Sequence, residues 1–165
     1  MAIRNKTLKY IQKMINDFSG ISMCELGSQR IYCEPGFNSA KDYFQSKGVN
    51  HTSIDINGQF DSLKLNLNER IELQQFDVVT NLGTSEHVSN HKMCFDNIHN
   101  LCKVGGIMIH VVPAEGSWLH HKCFRRYTVG FFKKLSEKRD YEILSLIEEK
   151  GDGKNHIYCT LRRKI

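Results

Sequence analysis

The sequence has no apolar run long enough to cross a membrane as a helix. A span needs about 20 consecutive apolar residues, and the 165-residue chain contains no such run. Its first residues, MAIRNKTLKY, also have no apolar signal core followed by a cleavage site. We therefore expect a soluble protein of the cytoplasm that makes no contact with membranes.

Paired cysteines are missing as well. Zinc sites and disulfide frameworks depend on regularly spaced cysteines, and no C-x-x-C pair occurs. The six cysteines lie mostly inside apolar segments: Cys24, Cys33, Cys94, Cys102, Cys123 and Cys159. This distribution predicts reduced, buried thiols. We expect no metal site.

A long block of basic residues is absent too. The chain has 23 basic and 18 acidic residues, a net charge of +5, and the basic residues are dispersed. Such a balance permits an anionic ligand and does not by itself argue for nucleic acid. The length and the 40% hydrophobic content predict one domain over residues 1–165, with an N-terminal helix in 1–19 and a core in 20–165.

Apolar periodicity predicts alternating strands and helices. Leu8, Ile11, Ile15 and Phe18 recur at helical spacing. Further helices are predicted at 39–47, 94–102 and 129–137, and strands at 21–26, 51–55, 63–67, 76–81, 107–112, 141–148 and 156–163. The last two strands pair across a glycine-rich turn at 151–155. The predicted fold class is α/β: a doubly wound, mostly parallel seven-stranded sheet with an antiparallel last strand and helices on both faces.

Candidate ligand-binding residues follow the predicted strands, because open α/β sheets bind ligands beyond the carboxyl ends of their strands. Four strands end in ELGSQ, DIN, NL and NLG: Glu25 to Gln29, Asp55 to Asn57, Asn66 with Leu67, and Asn81 to Gly83. An acidic residue such as Asp55 is well placed to bind both hydroxyl groups of a ribose. Gly27 lets the backbone approach a ligand closely.

The phosphate-binding fingerprint of dinucleotide sites is incomplete. G-x-G-x-x-G requires three glycines, whereas here Gln29 occupies the second position. Glu25 beside the turn disfavours a pyrophosphate and favours a cationic group. A nucleoside that carries an amino acid and a sulfonium therefore suits the turn better than NAD does.

The order of these segments resembles a known family. ELG at 25–27, SIDIN at 53–57, FDVV to SEHV at 76–88 and VGGIMI at 104–109 are similar to the successive motifs of Rossmann-like S-adenosylmethionine-dependent methyltransferases. The resemblance covers roughly residues 20–165, and the terminal hairpin agrees with it. Two departures from the family pattern are the missing glycines and Asn66, which stands where aspartate is frequent.

The resemblance implies S-adenosylmethionine as the cofactor and assigns roles to individual positions. The methionine part would lie near the turn formed by Glu25, Leu26, Gly27, Ser28 and Gln29. Asp55 would hold the ribose, and Ile56 would pack on the adenine, which Asn66 and Leu67 would border. The cofactor would be flanked by Asn81, Leu82 and Gly83. Methyl transfer mainly requires alignment and removal of a proton. His87 is the candidate proton acceptor with Glu86 as its orienting partner, although such a pair also commonly only borders the site.

The acceptor is expected to contact the segment between the fifth strand and the next helix. His121, Arg125 and Tyr127 are its candidate residues. Arg125 would either bind an anionic substrate or form a solvated or capping contact.

Nucleic acid is a disfavoured acceptor. Amino methylation of bases pairs with an Asn/Asp-Pro-Pro-aromatic segment that is absent after the fourth strand, and neither Pro35 nor Pro113 precedes a cysteine. We expect transfer to oxygen or nitrogen of a small-molecule or sugar-like acceptor. The alternatives are a non-catalytic nucleoside-binding or interaction module of the same fold and, less favoured, an NAD-dependent enzyme.

Overall fold

The computed structural model describes residues 2–118, 123–151 and 153–165. The strands are β1 Ala2–Ile3, β2 Ser22–Leu26, β3 Arg30–Ile31, β4 Asn50–Asp55, β5 Leu63–Lys64, β6 Phe76–Leu82, β7 Cys102–Pro113, β8 Tyr141–Glu149 and β9 His156–Arg163. The α-helices are α1 Asn5–Met14, α2 Ala40–Ser46, α3 His91–Leu101 and α4 Val129–Arg139. Short 3₁₀ turns lie at Gln59–Asp61 and Ser85–His87.

Seven strands form one sheet in the order β5-β4-β2-β6-β7-β9-β8. All neighbouring pairs are parallel except those of β9, which runs antiparallel to both β7 and β8. The predicted fold class is thereby confirmed. The strand order reverses beside β2, which pairs with β4 on one side and with β6 on the other. A ligand site is expected at the carboxyl ends of these three strands.

Both faces of the sheet are buried by helices. Since successive residues of a strand point to opposite faces, each central strand contributes side chains to two cores. On one face, Cys24, Val79 and Met108 belong to a core that includes residues of α3 and α4. Their neighbours Met23 and Val78 belong to the other core, with residues of α1 and α2. The unbroken apolar strands therefore report a central position in a covered parallel sheet.

The first helix is shorter than the predicted 1–19. It ends at Met14, and Ile15 has an extended backbone. Ile15 and Phe18 still pack into the core of that face, and the Phe18 and Phe44 rings lie 5.5 Å apart. Their spacing therefore correctly indicated burial but wrongly indicated a continuous helix.

Two strand predictions need correction. β5 contains only Leu63–Lys64, because the chain then leaves the sheet edge and directs Leu67 into the core. The strand predicted at 107–112 begins earlier, at Cys102, so Gly105 and Gly106 lie inside β7, where pairing jumps from Cys102 opposite Phe76 to Ile107 opposite Val78. A β-carbon on Gly106 would lie 2.9 Å from the Asp77 carbonyl oxygen, so the bulge packs tightly against β6.

Candidate functional site

A cleft of about 290 Å³ opens at the carboxyl ends of β2, β4 and β6. We call it the strand-end cleft. Its wall brings together residues predicted from four strand ends and the turn after β6: Gly27, Ser28, Gln29, Asp55, Ile56, Asn66, Leu67, Gly83 and His87. The volume is close to the lower limit of small-molecule sites, roughly 300 Å³.

The turn after β2 admits only glycine at position 27. Gly27 has a φ of +78°, and a β-carbon there would lie 2.6 Å from Thr84 Oγ1 and 2.9 Å from Gln29 Nε2. Thr84 is held in place because its hydroxyl donates to the Leu26 carbonyl oxygen at 2.6 Å. The side chains of Thr84 and Gln29 therefore occupy the space that a side chain at position 27 would need.

Two buried acceptors lie at this turn without hydrogen-bond partners among the described residues. They are Gln29 Oε1 and Glu25 Oε1. Burial raises the pKa of Glu25 well above its usual value, against the opposing effect of a hydrogen bond from the Gln29 backbone. His51 Nε2 lies 3.6 Å from Glu25 Oε2, and burial lowers the pKa of His51 to about 4. The histidine is therefore neutral and supplies no counter-charge.

Asp55 joins the turns that follow β2 and β4. Its Oδ2 accepts hydrogen bonds from the Ser28 backbone at 2.9 Å and from the Ser28 hydroxyl at 3.2 Å. Its Oδ1 accepts from the Asn57 backbone at 2.7 Å. These bonds fix the carboxylate at the wall and leave acceptor capacity on its two oxygens.

Apolar side chains form the opposite part of the cleft. Leu67 and Val88 are buried, whereas Ile56 is 59% exposed at the mouth. Asn66 is engaged locally, since its Oδ1 accepts from the Asn68 backbone and its Nδ2 donates to Glu69 Oε1. The cleft therefore combines one carboxylate with an apolar slot.

Four of the predicted cofactor residues do not line the cleft. Leu26, Asn81 and Leu82 are fully buried in their strands, and Glu25 likewise lies beneath the turn. Asn81 shapes the turn after β6, because its Oδ1 accepts from the Ser85 backbone and its Nδ2 donates to the Ser85 hydroxyl. Its side chain supports the wall rather than forming it.

The candidate catalytic pair lies in the 3₁₀ turn after β6. His87 lines the cleft, and Cys123 Sγ lies 3.6 Å from its Nδ1 atom. Glu86 is buried with no partner for Oε2 among the described residues. Burial raises the pKa of Glu86, against the opposing effects of a hydrogen bond from its own backbone and of the neighbouring His87.

The three residues predicted to contact the acceptor have different locations. Tyr127 is buried, and its hydroxyl lies 2.6 Å from Ser85 Oγ and 2.8 Å from His91 Nε2. Arg125 lines a different cavity together with His91. His121 lies outside the described residues. The Tyr127 hydroxyl is thus engaged in hydrogen bonds inside the protein. Neither Tyr127 nor Arg125 lines the strand-end cleft.

The architecture recurs in solved structures. One is the Burkholderia thailandensis 1,6-didemethyltoxoflavin-N1-methyltransferase with bound 1,6-didemethyltoxoflavin and S-adenosylhomocysteine, with a TM-score of 0.73 at 14% identity over 98% of this chain and 78% of that one. The chain has the fold of S-adenosylmethionine-dependent methyltransferases. The N-methyltransferase NodS of Bradyrhizobium japonicum with S-adenosylhomocysteine gives 0.68 at 11% identity, over 97% of this chain and 86% of that one.

The same methyltransferase fold also occurs in a protein described as a cyclase. SpnF matches with a TM-score of 0.71 at 10% identity, over 97% of this chain and 80% of that chain. No protein-family model and no curated protein sequence matches this chain. At these identities the likeness establishes the fold and leaves the reaction to be argued from the site.

Sequence reasoning missed five further residues that line the cleft: Ile54, Leu65, Asn68, Thr84 and Val88. Thr84 and Val88 lie within two residues of the predicted Glu86 and His87, so their positions in the sequence could have indicated that they line the site. Asn68 carried no such signal, because its amide is placed by contacts with Ser89 and Asn90 across the fold.

In the described ranges, no group of three metal-ligating side chains is present. The helices there are also too short or too polar to cross a membrane.

Proposed function

We propose that this chain is an S-adenosylmethionine-dependent methyltransferase that acts on an oxygen or nitrogen of a small-molecule or sugar-like acceptor in the cytoplasm. The observation that carries the proposal is the meeting of the Gly27 turn and the Asp55 carboxylate in one cleft at the switch point of a methyltransferase fold. Nucleic acid and membranes have no role in it.

The polar groups of the cleft suit a nucleoside without phosphates. Asp55 offers acceptor oxygens to ribose hydroxyl groups, and Gln29, which lines the same cleft, has an amide oxygen without a partner among the described residues. The apolar side chains of Leu67 and Ile56 provide a surface for a purine.

A pyrophosphate, as in NAD, is disfavoured by the chain segment after the turn. Dinucleotide sites direct a helix N-terminus at the phosphates. Here Gly27 leads into β3 at Arg30–Ile31, and the next helix begins only at Ala40. The NAD alternative therefore lacks its main source of binding energy.

When bound, the cofactor supplies an electrophilic methyl group, so the protein's task is alignment and proton removal. His87 lines the cleft and is proposed to accept the proton of the attacking hydroxyl or amine. A negative charge on the neighbouring Glu86 would stabilise the resulting imidazolium. Ser28 and Asn57 hold Asp55 in position through their backbone N–H groups.

Calorimetry with S-adenosylmethionine, S-adenosylhomocysteine and NAD tests the ligand class. We expect both sulfur nucleosides to bind and NAD to bind at least about tenfold more weakly, a difference of about 1.4 kcal/mol. If neither sulfur nucleoside bound at millimolar concentration, the proposal would be abandoned. Preferential binding of NAD would favour the dehydrogenase alternative.

Asp55→Asn tests the ribose contact within the same assay. We expect at least about tenfold weaker binding of S-adenosylhomocysteine, because the amide replaces one acceptor by a donor. Asp61→Asn is the matched control, since Asp61 lies shortly after the same strand but pairs with Lys41. Equal affinities of the two variants would remove Asp55 from the ribose role.

A second candidate is a nucleoside-binding module without methyl transfer. It is favoured by the close approach of Thr84 and Gln29 to Gly27, which narrows the turn. The two functions are distinguished by incubating the protein with methyl-labelled S-adenosylmethionine and a mixture of small alcohols, phenols and amines. Transfer of label that is lost in His87→Gln supports the enzyme, and nucleoside binding without transfer supports the module.

A further inference from the structure

A second cavity of about 340 Å³ lies between α3 and α4 and shares no lining residue with the strand-end cleft. We call it the α3–α4 cavity. It is open to solvent, and its volume lies in the range of small-molecule sites. Neither the proposed cofactor nor the proposed acceptor accounts for it.

Its floor is a compact set of rings. His91 and Phe95 have centroids 4.8 Å apart, Phe95 and Phe131 lie 5.3 Å apart, and His91 and Phe131 lie 5.5 Å apart. The hydrogen bond between His91 Nε2 and the Tyr127 hydroxyl fixes the imidazole. Burial lowers the pKa of His91 to about 4, and the charge of Arg125 adds to this shift. At neutral pH the floor is therefore uncharged and aromatic.

The rim carries five cationic side chains: Lys92, Arg125, Lys134, Lys138 and Arg139. Asp96 forms ion pairs with two of them, Lys92 and Arg139. The other three, Arg125, Lys134 and Lys138, have no ion pair among the residues that the structure describes. The rim thus carries an excess of positive charge that an anion would neutralise.

Two of these three cations lie on α4. Lys134 and Lys138 stand one helical turn apart on α4, so their side chains project from the same face of the helix. Both line the same cavity as Arg125. Three converging cations above an aromatic floor match a ligand that is anionic at one end and apolar at the other.

We infer that the α3–α4 cavity is a second binding site, specific for a small amphipathic anion. An aromatic or acyl body would lie on Phe95 and Phe131, and a carboxylate or phosphate group would lie among Arg125, Lys134 and Lys138. The volume of about 340 Å³ suits a small molecule better than an extended acidic macromolecule. This site is independent of the proposed methyl transfer.

Titrations of the ¹⁵N-labelled chain, followed by NMR, test the ligand chemistry. The probes are phenyl phosphate, phenylacetate, phenylacetamide and inorganic phosphate. We expect both aromatic anions to shift the amide signals of Phe131 and Leu135. The neutral amide and inorganic phosphate should bind at least about tenfold more weakly, because each lacks one of the two recognised parts. Equal affinity of phenylacetate and phenylacetamide would overturn the proposal.

Charge removal on α4 tests the location. Lys134→Gln/Lys138→Gln should weaken phenyl phosphate binding at least about tenfold. The control Lys9→Gln/Lys133→Gln removes the same charge from exposed positions outside the cavity and should change the affinity less than about twofold. Unchanged binding in the first variant would refute the assignment.

Three further outcomes are decisive. Absence of binding by both aromatic anions at about 10 mM, an affinity too weak for a specific site, would refute the proposal. Binding of an acidic peptide or an oligonucleotide to this face, in preference to the small anions, would replace it by a macromolecular surface. S-adenosylhomocysteine titrated into the same variants separates the two sites, since its affinity should not depend on Lys134 or Lys138.

Discussion

At the scale of single residues, Gly27 combines two demands that no other amino acid meets. Its positive φ is accessible to many residues at a cost, but the space beside it is already occupied by Thr84 and Gln29. Gly20 has a similar φ of +73° with no atom within 4 Å of the position of a β-carbon. Alanine substitutions at Gly20 and Gly27 therefore distinguish the cost of backbone strain, which both carry, from the cost of steric overlap, which only Gly27 carries.

Gly27→Ala is expected to destabilise the protein more than Gly20→Ala does. The strain of a left-handed alanine is about 1–2 kcal/mol at either position, and Gly27→Ala adds the overlap with Thr84 and Gln29. We expect the free energy of unfolding to fall by at least about 1 kcal/mol more for this variant, measured by urea denaturation. Equal losses would mean that Thr84 and Gln29 move aside freely.

Several site residues could be predicted one at a time. Gly27 and Asp55 follow buried strands, so their positions at the cleft required only strand boundaries and topology. Asn81 and Tyr127 could not be placed in this way, because both are hydrogen-bonded into the interior through Ser85. A polar residue at a strand end is equally compatible with the wall of a site and with its support.

At the scale of elements, a chain of hydrogen bonds connects the end of β6 to the start of α3. It runs from Asn81 through Ser85 and Tyr127 to His91. His110 on β7 adjoins it, with Nδ1 at 3.1 Å from Asn81 Nδ2. Burial lowers the pKa of His110 to about 3, so both histidines are neutral in the folded protein at pH 7.

Protonation of His91 should contribute to the pH dependence of the free energy of unfolding. Its folded pKa of about 4 lies below the unfolded value of about 6.5, so the unfolded chain binds more protons between these limits. The free energy of unfolding is therefore unaffected by His91 protonation above about pH 6.5, and it decreases as the pH falls toward 4. Urea denaturation from pH 7 to pH 4 should therefore show a smaller loss of stability for His91→Phe than for the wild type.

Tyr127→Phe is the control for this measurement. It removes the same hydrogen bond but keeps the titrating imidazole, so it should lower stability at every pH. Its pH dependence should resemble that of the wild type more closely than that of His91→Phe. Identical slopes for His91→Phe and the wild type would show that protonation of His91 does not oppose folding.

At the scale of the whole molecule, two apolar cores share one sheet. Ile11 on α1 belongs to one core and Ile98 on α3 to the other. Alternate residues of β2, β6 and β7 serve the two faces, so neither core can lose its packing without loosening strands that the other requires. Folding of the chain should therefore be cooperative.

Ile11→Ala and Ile98→Ala test this coupling. Both side chains are fully buried, and each substitution should cost about 2–5 kcal/mol. Each variant should unfold in a single transition, with far-UV circular dichroism and tyrosine fluorescence changing together. Ile143→Ala, at a position that is 38% exposed, should cost less than about 1 kcal/mol. Separate transitions for the two faces would contradict a single cooperative unit.

The sequence by itself determined the order of the helices and of the seven strands of the main sheet, the antiparallel ending and the residues at the main strand ends, but not the short paired strands β1 and β3. These features depend on local periodicity and on where apolar runs stop, which are properties of neighbouring residues. Only the tertiary structure decided that Ile15 packs without a helix, that Thr84 covers Gly27 and that Arg125 lies over α3 and α4 instead of the strand-end cleft. Those outcomes depend on distances between segments far apart in the chain, and local spacing carries no information about such distances.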